Sequence, residues 1–124
     1  MKYIVKKDKF TKARGGNAKF YILLCAQCRH EIFIYQKDGP GKLLRLYLDK
    51  FVAPKSVVEE LHDIKTKSDM HGLQCPACGE LLAVPMIYEK EKRLAYRLLN
   101  NKVLKREEQS PLEYEITEIK QIKN

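Results

Sequence analysis

Two pairs of cysteines are the residues of this sequence best suited to chemistry. Cys25 and Cys28 flank Ala-Gln, and Cys75 and Cys78 flank Pro-Ala, so both pairs have the CxxC spacing. Two intervening residues let a tight turn direct both sulfurs at one ion, and four thiolates complete the tetrahedral shell that zinc prefers in structural sites. We therefore predict that these four cysteines bind one structural zinc ion.

Two other chemistries stay open for the same cysteines. An iron ion in a rubredoxin-like electron carrier is also held by thiolates. A redox-active CxxC usually opens a helix whose N-terminal dipole lowers the thiol pKa, whereas the runs around both pairs here are typical of strands. His30 and His71 lie near the pairs in sequence. Because a structural zinc site closes at four ligands, we expect neither histidine to bind the ion.

The second cysteine pair resembles the knuckles of zinc-ribbon proteins, a group to which rubredoxin-like folds are similar. Residues 75–79 read CPACG, whereas the first pair has Arg29 where the second has Gly79. Residues 35–41, YQKDGPG, also resemble a segment of small uncharacterised zinc-ribbon-like proteins. These resemblances imply CxxC turns on β-hairpins around a structural zinc, and they imply no particular activity.

The sequence gives no sign of a catalytic centre. A catalytic zinc keeps one position open for water and usually has histidine or carboxylate ligands, but four cysteines close the shell. The chain also has no GxSxG, HExxH or phosphate-loop pattern. We therefore expect no enzymatic activity and no small-molecule substrate.

Short apolar runs around the cysteines predict the strands that hold them. The runs are residues 20–24, 31–35, 43–48 and the two halves of 81–99, which are joined at 89–92. Ser56 and Glu59 form a capping-box pattern that predicts a helix from Val57 to about Lys65. Pro85 predicts that its strand lies at an edge or carries a bulge.

These elements predict a mainly β, small α+β fold. It would be a zinc-ribbon-like antiparallel sheet with two CxxC knuckles, an inserted strand and one short helix, because the spacing between the knuckles exceeds the about 15–20 residues of many compact sites. We expect a basic N-terminal arm at 1–19, a zinc-ribbon-like domain at 20–106 and a C-terminal strand or tail at 107–124.

The DGPG sequence at residues 38–41 raises the question of a phosphate-binding loop. Such a loop needs consecutive free backbone N–H groups that open onto a helix, but Pro40 lacks an N–H and strands flank the segment. We predict a hairpin bend instead, in which Gly39 and Gly41 take positive φ.

The charge of the chain favours an anionic partner. The 124 residues carry a formal charge of +8, and four thiolates with one zinc ion would lower it to about +6. The arm holds one acid, Asp8, against Lys2, Lys6, Lys7, Lys9, Lys12, Arg14 and Lys19. No apolar run approaches the about 20 residues of a membrane span, and no signal peptide is evident. We therefore expect no membrane association and a cytoplasmic location, where thiols stay reduced.

Nucleic acid and protein are the two candidate partners. Cations at alternating strand positions share a sheet face, where they can meet phosphates while tyrosines stack on bases. Tyr35, Tyr47 and Tyr96 are the tyrosines in question, and we predict nucleic-acid contacts from Lys37, Lys42, Arg45, Arg93 and Arg97. The predicted function is a nucleic-acid-binding module, with a protein–protein interaction adaptor as the alternative and an iron electron carrier after it.

Overall fold

Two four-stranded antiparallel sheets form the centre of the computed structural model, which describes residues 5–108. The elements are α1 (Lys9–Ala13), β1 (Ala18–Cys25), β2 (Glu31–Asp38), β3 (Arg45–Tyr47), β4 (Phe51–Ala53), α2 (Lys55–His62), β5 (Leu73–Gln74), β6 (Leu81–Tyr88), β7 (Arg93–Leu98) and β8 (Val103–Glu107). The strand order is β4-β2-β1-β8 in the first sheet and β3-β7-β6-β5 in the second. The predicted mainly β, small α+β class is confirmed.

A buried cluster joins the two sheets. Its members are Leu23, Cys25, Ile32, Phe33, Tyr35, Leu46, Phe51, Leu61, Met70, Cys75, Leu82, Ala83 and Tyr96. The ring of Phe51 packs edge-on against Phe33 and Tyr35, with centroids 5.2 and 5.3 Å away. The Tyr35 hydroxyl accepts a hydrogen bond of 2.6 Å from the backbone N–H of Tyr47 and thereby links β2 to β3. Two of the four cysteines therefore belong to the core itself.

The predicted hairpin of β6 and β7 forms, and Pro85 lies beyond the part of β6 that pairs with β5. β5 pairs with β6 only at Leu81 and Ala83, while β7 pairs with β6 from residue 83 to 88. At Pro85 one side of β6 therefore faces no strand among the described residues, which agrees with the predicted edge position.

The helix α2 differs from its prediction at both ends. It runs over Lys55–His62, and its N-cap is Pro54, with no side-chain hydrogen bond at the cap. The predicted capping box of Ser56 and Glu59 is therefore wrong, because Ser56 already lies inside the first turn. Neither helix in residues 5–108 is long and apolar enough to cross a membrane.

The DGPG segment is a crossover between the sheets. β2 pairs with β1 and β4, whereas β3 pairs with β7 in the other sheet. The predicted hairpin bend is therefore wrong, since β4 takes the place beside β2 and buries Phe51 and Ala53 there. The backbone part of the prediction is confirmed, because φ is +77° at Gly39 and +100° at Gly41.

The folded part of the chain begins before Phe20. Asp8 caps α1 by accepting hydrogen bonds from the backbone N–H groups of Phe10 and Thr11, and Thr11 is completely buried. Residues 5–19 of the basic arm thus pack against the sheets. At the other end β8 continues to Glu107, and the rest of the predicted C-terminal strand or tail, residues 109–124, lies outside the described residues.

Candidate metal centre

Each sheet contributes one CxxC turn to the centre. The first knuckle, residues 25–30, joins β1 to β2, and the second knuckle, residues 75–80, joins β5 to β6. In each knuckle the backbone N–H of the first cysteine closes the hairpin by bonding to a carbonyl five residues on: Cys25 to His30 at 3.0 Å and Cys75 to Glu80 at 2.9 Å. Both turns therefore have the same hydrogen-bond pattern.

The residue after each second cysteine has the same unusual backbone conformation. Gly79 has φ +81° and Arg29 has φ +68°. Each donates its N–H to the carbonyl of the first cysteine of its knuckle at 2.8 Å. Arg29 therefore adopts the left-handed conformation that glycine takes at the equivalent position, and the departure from the zinc-ribbon pattern leaves the turn intact.

The four sulfur atoms meet at the spacing that a single ion requires. Sγ of Cys25 lies 3.6 Å from Sγ of Cys78, and Sγ of Cys28 lies 3.6 Å from Sγ of Cys75. All four atoms lie within 4.8 Å of one another. A zinc–sulfur distance of about 2.3 Å puts the sulfurs of a tetrahedral site about 3.8 Å apart, so the donor set fits one ion. The sulfurs are too far apart for disulfides, whose bonds are about 2.05 Å long.

The sulfurs differ in burial and in pKa. Cys25 and Cys75 are buried, while Cys28 and Cys78 are exposed. Burial raises the pKa of Cys75, but hydrogen bonds from the backbone N–H groups of Cys78 and Ala77 outweigh it and lower the pKa to about 7. For Cys78 the backbone N–H of Glu80 lowers the pKa, yet partial desolvation of the thiol and its interactions with the other three sulfurs raise it to about 12. Four adjacent thiols that interact in this way ionise together only when a cation neutralises them.

The loop between β7 and β8 holds the two knuckles together beside the sulfurs. The backbone N–H of Ala26, in the first knuckle, donates to the carbonyl of Lys102 at 2.9 Å. The ammonium of Lys102 pairs with the carboxylate of Glu80 in the second knuckle. His30 and His71 are both exposed, and within residues 5–108 the cluster contains cysteines alone.

Arg93 is not the exposed phosphate contact that we predicted. It is only 7% exposed, and its guanidinium lies between the rings of Phe10 and Tyr47, at 3.8 and 3.7 Å from their centroids. Asp49 and Glu91 accept its hydrogen bonds at 2.9 and 3.1 Å. Because both charge and ring faces are satisfied, Arg93 acts as part of the core.

The tyrosines predicted to stack on bases are also buried. Tyr35, Tyr47 and Tyr96 are between 2% and 8% exposed. Lys37 is 8% exposed, and its ammonium donates to the carbonyl of Gly39 at 2.7 Å. The expectation of an open tyrosine-and-cation face is therefore wrong for these four residues, because β2, β3 and β7 direct them inward.

Lys42, Arg45 and Arg97 lie nearer the surface. Lys42 and Arg97 are exposed and Arg45 is half-buried. Arg45 stands directly opposite Arg97 in the pairing of β3 with β7, and its guanidinium lies 4.1 Å from the ring centroid of Tyr88. None of these three cations forms an ion pair with another part of the described chain.

Sequence reasoning missed a buried charge cluster, which we name the polar clamp: Lys50, Lys6, Asp8, Thr11 and Asp38. The ammonium of Lys50 bonds to the carbonyl of Lys6, the hydroxyl of Thr11 and the carboxylates of Asp8 and Asp38, at 2.9–3.1 Å. Burial raises the pKa of Asp8, but hydrogen bonds from the Thr11 N–H and the Lys50 ammonium outweigh it and lower the pKa to about 2. No motif in the sequence predicts this cluster.

Comparison of the chain with family models, with curated proteins and with solved structures finds no match. The structure thus supports a cysteine tetrad that could bind one metal ion at the junction of two antiparallel sheets.

Proposed function

We propose that this protein is a zinc-binding module, in which one tetrathiolate ion is structural and a neighbouring basic surface binds nucleic acid. The observation that carries the first half is the distance of 3.6 Å between sulfurs of different knuckles. Each knuckle belongs to a different sheet, so the ion would connect the two sheets across the core. The four thiolates fill the shell and leave no position for a catalytic water, so we propose no enzymatic role.

Zinc is the ion we propose, because a site built into the core needs a constant charge and geometry and zinc has no redox chemistry. Cys25 and Cys75 are core residues, and a ligand shell anchored in this way serves folding directly. A colourless protein that contains zinc is the expected result of visible spectroscopy and metal analysis. Visible absorption together with iron in the purified protein would assign the electron carrier instead.

The nucleic-acid half of the proposal depends on what we name the cationic edge: Lys42, Arg45 and Arg97. β3 is the outer strand of its sheet, so Arg45 lies at a sheet edge. Like charges directly opposite each other on paired strands destabilise a sheet, yet Arg45 and Arg97 face each other with no acid paired to either in residues 5–108. A phosphate backbone along this edge would supply the missing negative charge.

The proposal is tested by binding of the metal-loaded protein to a labelled single-stranded oligonucleotide over a series of salt concentrations. If three cations meet phosphates, the logarithm of the binding constant should fall with the logarithm of salt with a slope of about −2. The double variant Arg45→Gln/Arg97→Gln should weaken binding at least tenfold. The double variant Lys65→Gln/Lys67→Gln removes the same charge from exposed positions after α2 and should change it little.

Absence of binding at low salt, or binding that salt does not weaken, would contradict the nucleic-acid role. Recovery of a stoichiometric protein partner after nuclease treatment would then favour the adaptor role. Neither result bears on the metal site, which is measured separately.

A further inference from the structure

A small cavity at the crossover between the sheets is lined by four cations. Its volume is about 230 Å³, and Arg14, Lys37, Lys42 and Arg45 contribute to its wall. Arg14 is the C-cap of α1, Lys37 lies near the end of β2, Lys42 in the crossover, and Arg45 opens β3. The end of α1 and the segment from β2 to β3 therefore bring positive charge to one place.

The carboxylate in this wall is already paired with a cation outside the cavity. Asp38 also lines the cavity, but its carboxylate lies 2.9 Å from the ammonium of Lys50 and is almost fully buried. Lys37 has a carbonyl as its hydrogen-bond partner and no carboxylate among the described residues. Burial, together with repulsion from Lys105 and Arg14, lowers the pKa of Lys37. The cavity therefore has an excess of positive charge that an anion would relieve.

The two arginines are held in place before any ligand arrives. The Tyr47 hydroxyl accepts hydrogen bonds from Nη2 of Arg14 at 3.1 Å and from Nε of Arg45 at 3.0 Å. Arg14 is also paired with Glu91 at 2.9 Å. Both guanidiniums are thus fixed by one neutral hydroxyl, and donors that are already oriented bind an anion with less loss of side-chain freedom.

Glycine at position 39 brings the crossover against α1. A Cβ on Gly39 would lie 2.7 Å from Cβ of Arg14 and 2.9 Å from its carbonyl oxygen. The N–H of Gly39 donates to the carbonyl of Asn17 at 2.8 Å, so it is not free for a ligand. Recognition would therefore come from side chains, unlike a phosphate loop built from backbone N–H groups.

The size and charge of the cavity select the ligand. At about 230 Å³ it is smaller than the about 300–1,000 Å³ of sites for drug-sized molecules. Arginine forks match phosphate oxygens, and a phosphomonoester carries about −1.5 to −2 near neutral pH, whereas a backbone diester carries a single charge. We propose that this cavity binds a terminal phosphate group, namely the phosphomonoester at the end of a nucleic-acid strand. The nucleic-acid source rests on the proposed function, whereas the recognition of the phosphate group does not.

The experiment compares oligonucleotides of one sequence that differ only at their ends. The metal-loaded full-length protein is titrated with strands carrying a 5′-phosphate, a 3′-phosphate or only hydroxyl ends, and separately with inorganic phosphate by calorimetry. A strand with a terminal phosphate should bind about tenfold more tightly than the hydroxyl strand, the effect of one good charge-assisted contact. Arg45→Gln and Lys37→Met should each remove that difference and abolish phosphate binding.

Two further variants separate positioning from charge. Tyr47→Phe keeps every charge but removes the hydroxyl that orients both arginines, so it should reduce binding of the phosphorylated strand by a larger factor than binding of the hydroxyl strand. Arg106→Gln removes an exposed arginine of β8 that pairs with Glu31, and it should leave the preference intact.

The outcomes distinguish this inference from the proposed function. Equal affinity for phosphorylated and hydroxyl strands overturns the terminal-phosphate site and leaves nucleic-acid binding in place. Binding of inorganic phosphate that Arg45→Gln abolishes, without binding of any oligonucleotide, supports the site and overturns its nucleic-acid source. Failure of phosphate and of all strands to bind overturns both.

Discussion

The two ends of the β1–β2 hairpin are held by different kinds of interaction. At one end, four sulfurs from two hairpin turns converge within 4.8 Å. At the other end, where β2 finishes at Asp38, the polar clamp surrounds Lys50 with four oxygen acceptors. The cysteine end brings together two pairs of ligands, each pair close in sequence, that could coordinate one ion. The clamp end depends on an ammonium that must be fully paired because it is buried.

The difference explains why only one end is visible in the sequence. The CxxC spacing is the one that lets a turn direct two sulfurs at a single ion, so a site of this kind has a local pattern. The clamp needs only one cation and enough acceptors, and any part of the chain can supply them. Lys50 and its partner Lys6 are 44 positions apart. A single substitution can disrupt the interactions at either end, and the change in the free energy of unfolding measures how much that end contributes to stability.

The largest effect is expected at the cysteine end from Cys25→Ser. Structural zinc contributes about 10–16 kcal/mol in zinc-finger peptides, which matches or exceeds the about 5–15 kcal/mol that stabilises a typical domain. Loss of a buried ligand should therefore release the ion, and the variant should no longer show a cooperative unfolding transition. Circular dichroism during heating, with metal content measured in parallel, checks this. Ser68→Ala is the control. If Cys25→Ser contained no metal and still unfolded at the same temperature as the wild type, the proposed role of the ion in folding would be contradicted.

The next largest effect is expected at the clamp end from Lys50→Met. The side chain keeps its length but leaves the buried carboxylate of Asp38 without its cation, and breaking a buried pair in this way costs about 3–5 kcal/mol. Urea unfolding measures the change. Lys55→Met removes an exposed lysine paired with Glu59 and should cost less than about 1 kcal/mol. An equal loss of unfolding free energy in the two variants would show that the clamp stabilises the protein no more than an exposed ion pair does.

A smaller difference in stability is expected between alanine substitutions at the two glycines of the crossover, which lies beside the clamp. Gly41→Ala places a side chain at φ +100° in open space, which costs about 1–2 kcal/mol. Gly39→Ala adds a clash at 2.7 Å with Arg14, so its cost should exceed that of Gly41→Ala by about 1–3 kcal/mol. Unfolding of the two variants in urea gives the difference. If the cost is the same, α1 does not press against the crossover.

The smallest effect sharpens the account of the cysteine end. Arg29 has φ +68°, where a side chain costs about 1–2 kcal/mol and glycine loses about 0.5–1 kcal/mol in chain entropy. Arg29→Gly should therefore stabilise the metal-loaded protein by about 0.5–1 kcal/mol. Gly79→Ala makes the reverse change in the second knuckle and should destabilise it. Destabilisation by Arg29→Gly would mean that the arginine side chain has a structural role of its own.

Much of the fold and the whole cysteine cluster follow from local patterns. The sulfur cluster, the β6–β7 hairpin and the positive φ of Gly39 and Gly41 were predicted from spacing and residue type, because each is decided by a few adjacent residues. The crossover was not, since a run such as residues 43–48 specifies a strand without its partner. Only the competition between β3 and β4 for the place beside β2 decides which sheet β3 joins.

The basic residues show a second limit of sequence reasoning. Arg93 and Arg97 lie four positions apart on β7, and the sequence gives both the same reading as exposed cations. Arg93 is instead buried between two aromatic rings, because α1 folds back over it and supplies Phe10. The sequence contains the capping pattern of this five-residue helix, Asp8 and Thr11, but no local feature indicates where the helix packs.

The measurement that tests the central claim most directly is the metal content of the purified full-length protein, with protein and metal quantified in the same sample. The account predicts one zinc ion per chain, its release by a thiol-modifying reagent, and loss of the unfolding transition when it leaves. Purified protein that contains neither zinc nor iron, and that still unfolds cooperatively, would contradict it.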